Sequence, residues 1–140
     1  MKWIVEFHDE FDHEFEDLAA EVQDELYAQL EVLRLFGPKT GRPRVDTLNG
    51  SGYANMKELR FDAAGGVWRV AFAFDPSRKA VLLVAGDKHG TSEKPFYKQL
   101  LKVADARYAR HLQKLKKEQQ AAKDAGKRTQ KAKKGKGAKK

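Results

Sequence analysis

Apolar residues recur along this chain with two different periods. Lys2–Phe7 alternates and carries Trp3, Ile4, Val5 and Phe7, which predicts a short strand. From Asp9 to Leu18 the chain is acidic, with Phe11, Phe15 and Leu18 four and three residues apart, so they share one helix face. Glu21–Phe36 repeats that spacing with Val22, Leu26, Leu30 and Leu33, the clearest amphipathic helix of the chain, and Gly37-Pro38 should stop it. Lys39–Gly52, rich in Gly, Pro and Arg, reads as a loop.

The period then becomes two. Tyr53–Asp62 alternates, with Lys57, Leu59 and Phe61 on one face and Met56, Glu58 and Arg60 on the other. Val67–Asp75 sets Trp68, Val70, Phe72 and Phe74 against Arg69, Ala71 and Ala73. Ala80–Gly86 is a continuous apolar run, as in an interior strand buried on both faces. Ser92 and Glu93 then open a long helix with Phe96, Leu100, Ala104, Tyr108, Leu112 and Leu115 as its stripe. Short links make the last three strands an antiparallel meander. The expected fold is α+β: a small antiparallel or mixed sheet, an N-terminal helical hairpin and a C-terminal helix, with the helices on one sheet face. Trp68, Val70, Phe72 and Phe74 should then face the helices, and Arg69 should point to an open face.

Composition narrows the function. The chain has 140 residues and no cysteine, so disulfides, a zinc ribbon and a thiol nucleophile are excluded. No apolar run reaches the roughly 18–20 residues of a membrane span, and Glu6 breaks the first one, so neither membrane nor secretion is expected. No Walker loop or dinucleotide fingerprint occurs, and no cofactor is expected. His8 and His13 stand among carboxylates without a fixed ligand spacing, so no metal is expected either.

The net charge of +8 is unevenly spread. Residues 119–140 carry eight lysines and one arginine against Asp124, a net of +8. Residues 1–36 hold 11 acids and two bases, whereas 37–118 hold 17 bases and eight acids. Such a field steers the basic part toward a polyanion. The sequence thus divides into a folded domain, 1–118, and a basic tail, 119–140. Without apolar anchors that tail should be disordered beyond Gly126, and its bases suit salt-dependent binding of nucleic acid.

Candidate chemistry gathers at one end of the predicted sheet. Arg69 and Arg60 lie on paired strands, and Lys88 and His89 follow the last strand in Gly86-Asp87-Lys88-His89-Gly90. Tyr97 begins the final helix. Arginine grips a phosphate in a planar fork and lysine adds a point charge. Cleavage of RNA by its own 2′-hydroxyl needs charge stabilisation at phosphorus and two proton transfers, but no metal. The same residues also allow a plain alternative, in which Arg60 and Arg69 pair with Glu58 and Asp62 as surface ion pairs.

Three segments carry a resemblance: Asn55-Met56-Lys57-Glu58-Leu59-Arg60, Val67-Trp68-Arg69-Val70-Ala71-Phe72 and Leu82-Leu83-Val84-Ala85-Gly86-Asp87-Lys88. In order and spacing they resemble the HigB-like branch of the RelE/ParE toxin superfamily, over roughly residues 1–115. The resemblance implies a RelE-like fold of the microbial-ribonuclease type. It also implies the toxin of a type II toxin–antitoxin pair: a cytoplasmic endoribonuclease that cuts mRNA on the ribosome and is held by an antitoxin, often a Cro-type helix-turn-helix protein. Carried over by position, the catalytic candidates are Arg69, Lys88 and Tyr97, supported by Arg60 and Lys57, with His89 replacing the histidine-rich ending of some HigB enzymes. The RNA-binding candidates are Lys57, Arg42, Arg44, Lys127 and Arg128. The sequence departs from RelE-like enzymes at Glu58, where a basic residue is common. Two alternatives remain: a ParE-like, non-catalytic inhibitor of DNA gyrase, and a plain nucleic-acid-binding module.

Overall fold

Strand β1 (Ile4–Phe7) leads into helices α1 (Asp9–Glu16) and α2 (Ala20–Phe36) in the computed structural model. Strands β2 (Val45–Thr47), β3 (Met56–Ala63), β4 (Gly66–Phe74) and β5 (Lys79–Asp87) follow, and helix α3 (Glu93–Ala138) is the last element among the described residues. The structure describes the backbone of residues 2–138 and the side chains of residues 2–128. Two compact units are formed, Met1–Tyr108 and Ala109–Lys140.

In the first unit the strands form one mixed sheet in the order β1-β5-β4-β3-β2. Its core is the expected antiparallel meander β3-β4-β5, and β1 adds to β5 in parallel. The three-residue β2, inside the expected loop, pairs antiparallel with β3. So short a strand has no period of its own to read.

The alternation across β4 holds. Val70 and Phe72 are fully buried and, with the partly buried Trp68 and Phe74, pack against Phe11, Phe15, Leu26, Leu30 and Leu33 of the α1–α2 hairpin. Each such side chain contributes about 1.5–3 kcal/mol by leaving water. His8 caps α1, its Nδ1 accepting the Glu10 N–H at 3.2 Å. Gly37 ends α2 with φ 54°, donating its N–H to the Leu33 carbonyl. A Cβ at Gly37 would stand 2.1 Å from the Trp3 indole nitrogen, so the turn and the close ring both demand glycine.

The expectation that all helices share one sheet face is overturned. The first turns of α3 cover the second face, which carries Met56, Glu58, Arg69, Ala71, Ala73 and Val81. Leu100, Ala104 and Tyr108 are buried there. Ala71 and Ala73, both fully buried, are the small residues that let the helix approach the sheet. At the β4–β5 bulge Leu83 is the extra residue. It stands just past the last residue of β5 that β1 pairs, Leu82, and Arg107 of α3 donates to its carbonyl at 2.7 Å.

In the second unit the helix does not stop at Gly126, as the sequence led one to expect: the backbone is helical through Ala138. A lone glycine costs a helix only about 1 kcal/mol, and alanine, lysine and glutamine around it are good helix formers. Lys127 and Arg128 are exposed on this helix, and Lys139 and Lys140 lie outside the described residues. Among the described residues, no helix is long and apolar enough to cross a membrane.

Candidate active site

Register builds the site. Arg60 and Arg69 stand directly opposite each other on β3 and β4, and Gly86 of β5 pairs Arg69 from the other side. Two like charges opposed across strands repel. The carboxylate that relieves them is Glu58, two residues along β3 on the same face. Its Oε1 lies 3.3 Å from Arg60 Nε and 3.9 Å from Arg69 Nε.

Helix α3 completes the group. The Tyr97 hydroxyl donates to Glu58 Oε1 at 3.2 Å and accepts from Arg69 Nε at 3.3 Å. Arg69 Nη1 donates to the Trp68 carbonyl at 2.9 Å. Tyr97 reaches this point because Phe96, the residue before it, lies over Gly86. A Cβ on Gly86 would meet the Phe96 ring at 2.9 Å. Lys88 stands at the rim, with its Nζ 5.7 Å from the Tyr97 ring centroid and 3.1 Å from Glu93 Oε1.

Arg69 is on the expected side of its strand, but that side is not open: only 7% of the residue is exposed, because α3 lies over it. Arg60, Arg69, Tyr97 and Lys88 come together as the sequence suggested. The other candidates stand apart. His89 is exposed in the turn after β5, its backbone N–H donating to Asp87. Lys57 shares the Leu59 face of β3, away from the cluster. Arg42 pairs with Asp46 at 3.0 Å, and Arg44 donates to Gln29 of α2. Glu58 is the residue the sequence undervalued. The ion-pair alternative named it as a partner of the arginines, and so it is, but at 5% exposure and not on the surface.

Electrostatics follow from burial. Desolvation pushes the Glu58 carboxyl above its ordinary value, against the pull of the Tyr97 hydrogen bond and of Arg60 and Arg69, while Asp46 adds to the rise. Burial likewise raises the Tyr97 phenol, and the Glu58 charge raises it further. Asp46, held by Arg42 and by the Thr47 N–H, titrates below the usual carboxylate range. Glu58 and Tyr97 both face an open cavity of about 440 Å³, whose walls include Asp46, Asn49, Lys94 and Lys98. This is the size of a small-ligand site. Among the described residues, no group of three or more His, Asp or Glu is placed to hold a metal ion.

Comparison with known proteins gives this geometry relatives. A candidate toxin of Mycobacterium tuberculosis (strain ATCC 25618 / H37Rv) named HigB2 is 44% identical over 96 residues, which cover 68% of this chain and 47% of that protein. A second candidate toxin of the same strain, HigB3, is 47% identical over 78 residues, 56% of this chain and 66% of that one. The chain thus spans about half the length of HigB2 and just under two thirds of HigB3. The free-state structure of an arginine-to-alanine double mutant of the E. coli toxin RelE superposes with a TM-score of 0.54. It is 14% identical, and the match covers 76% of this chain and 98% of RelE. At that identity the match shows the fold alone, and it bears out the RelE-like α+β architecture. The HigB-like resemblance read from the three strand segments is borne out by the two mycobacterial relatives. The sequence profile of the phage-derived Gp49-like proteins (DUF891) matches residues 13–109, and the chain belongs to that family.

Proposed function

We propose that this protein is the toxin of a type II toxin–antitoxin pair and that it cleaves mRNA in association with the ribosome, in the cytoplasm and without a metal ion. The observation that carries the reading is the junction of Arg60, Arg69, Tyr97 and Lys88 at one rim of the sheet. Two guanidinium groups, an ammonium and a phenol meet beside a cavity in a chain whose relatives are named as toxins. Arg69 is the phosphate ligand. An incoming phosphate oxygen takes the place of the Tyr97 hydroxyl at Nε, and Nη2 supplies the second tooth of the fork. Arg69 then stabilises the charge that builds on phosphorus as the ribose 2′-oxygen attacks, and Arg60 and Lys88 add to that field. Tyr97, released from Arg69, handles a proton, and His89 is the reserve for that role. The folded domain, 1–118, holds the chemistry. Lys57, Arg42 and Arg44, with Lys127 and Arg128 of the tail, track the RNA backbone. The partner is an antitoxin, here proposed as a helix-turn-helix protein of the Cro type.

The test is induction of the protein in cells, followed by primer extension on mRNA, with gyrase supercoiling assayed in parallel. Wild type should produce discrete mRNA ends and leave gyrase untouched. Arg69→Ala should abolish growth arrest while still folding and binding antitoxin, with a loss of about 10²-fold or more. Arg69→Lys should recover only part, because a point charge does not replace a fork. Growth arrest with intact mRNA and inhibited gyrase would replace this reading with the ParE-like one.

A further inference from the structure

The turn from β4 to β5 is fixed by Asp75. Its Oδ1 accepts the N–H of Ser77 at 2.9 Å and that of Lys79 at 3.0 Å. Its own N–H donates to the Lys79 carbonyl at 2.8 Å, and its carbonyl accepts the Arg78 N–H at 3.0 Å. Within this turn Arg78 takes φ 64°. That left-handed backbone is strained for a residue with a Cβ, and glycine would adopt it freely.

What the strained arginine gains is a position. Its guanidinium carbon stands 5.1 Å from the centroid of the Trp3 ring. The ring itself is held in place: Phe74 meets it edge-on at 5.2 Å between centroids, and Gly37 lies directly against it. Trp3 and Arg78, with Lys2, Ile4 and Ser77, line a cavity of about 260 Å³. Lys2, Ser77 and Arg78 are exposed at its mouth. Among the described residues, no carboxylate pairs with Lys2 or Arg78, whereas Arg34, Arg42, Arg60, Arg69 and Arg107 each have one. A staple for the turn would need neither the strain nor the cation, because Asp75 already closes it.

We propose that this cavity binds an unpaired nucleobase of a single-stranded nucleic acid, stacked against Trp3 and the Arg78 guanidinium, with Lys2 on the adjoining phosphate. An indole and a planar cation offer flat faces that any exposed base can stack on. A duplex hides those faces inside its own stack. The neighbouring ammonium suits the phosphate that each base carries with it. Backbone strain is the kind stored at ligand clamps. The site goes beyond the nuclease reading and uses none of its residues. Phe74, which braces Trp3, follows Arg69 by five residues along β4 and lies on the hairpin face. At about 3.3 Å per residue that places the cavity roughly 16 Å from the arginine cluster, as a second hold on the same strand.

Trp3 itself reports on occupancy. Trp68→Phe leaves it the single indole of the full-length chain. The probes are a 2′-O-methyl oligoadenylate decamer, the matching oligodeoxyadenylate, and the duplex of the first with its complement, all at physiological salt. Single strands should quench Trp3 fluorescence to saturation, and the duplex should not. Arg78→Gly keeps the turn, since glycine takes φ 64° freely, and should weaken the single-strand titration by about tenfold, within the range for losing one stacking partner. Arg78→Lys keeps the charge without the plane and should stay close to Arg78→Gly. Anisotropy of a labelled single strand on wild type and Arg78→Gly, both with Trp68 in place, makes the same comparison if Trp68→Phe does not fold. Quenching by both single strands, or by the 2′-O-methyl strand alone, supports the site and tells which polymer it takes. Absence of quenching, equal quenching by the duplex, or an Arg78→Lys titration equal to wild type overturns the proposal. None of these outcomes touches mRNA cleavage, which Arg69→Ala tests.

Discussion

Arg107 allows the attachment of α3 to the sheet to be tested apart from any chemistry. It is 6% exposed, and each of its guanidinium nitrogens has a partner. Nη1 donates to the Leu83 carbonyl and to Glu14 Oε1, each at 2.7 Å. Nη2 meets Glu14 Oε2 at 2.5 Å, and Nε lies 3.3 Å from Glu10 Oε2. Arg107→Leu keeps the bulk and removes all of these. The Leu83 carbonyl, past the end of the β1 pairing, then has no side-chain donor, at a cost of about 1–3 kcal/mol. The glutamates matter less, because their side chains are 48% and 51% exposed and rehydrate. Each broken ion pair costs about 0.5–1 kcal/mol. The expected loss is therefore about 2–5 kcal/mol, read as a lower urea midpoint with an unchanged slope. Arg107→Lys should fall between, since an ammonium cannot fork onto Glu14 while holding the carbonyl. A double-mutant cycle with Glu14→Gln should show coupling of about 1 kcal/mol. A loss below about 0.5 kcal/mol for Arg107→Leu would refute the argument, since that is the range of a plain surface substitution.

Gly86→Ala should cost about 1–3 kcal/mol in urea unfolding, because its methyl meets the Phe96 ring. It should depress mRNA cleavage by more than its stability loss explains, since Phe96 carries Tyr97. Folded-state burial raises the Glu58 carboxyl above its ordinary 4.5, so its contribution to stability is fully present below that value. That contribution is lost as pH rises through the folded-state value, and stability against pH should lose this falling segment in Glu58→Gln. Truncation after Glu118 removes nine bases and should flatten the dependence of RNA affinity on salt, the log–log slope falling by about 0.7–0.9 for each phosphate the tail no longer neutralises. Urea unfolding of residues 2–108 should be unaffected, and an unchanged salt slope would remove the tail from RNA binding.

Local pattern was enough for most of the elements. The helical spacing of Val22, Leu26, Leu30 and Leu33 and the alternation through Trp68, Val70, Phe72 and Phe74 each report which side of an element meets the core. Periodicity is a local property, and these residues state it directly. The same alternation put Arg69 on the face opposite the α1–α2 hairpin and paired it with Arg60. What alternation cannot report is which element later covers a face. Ala71 and Ala73 read equally as the floor of an open surface or as the seat of a helix. Only the packing of Leu100, Ala104 and Tyr108 decides, and that packing joins residues far apart in sequence. Burial of Arg69, desolvation of Glu58 and the bridging of both by Tyr97 all follow from that one docking. β2 escaped notice for a related reason: three residues have no period, and they become a strand through their pairing with β3. The residue types of the candidate site are therefore legible in the sequence. Their proton affinities and accessibility belong to the tertiary structure, because burial is set by neighbours the chain brings from a distance.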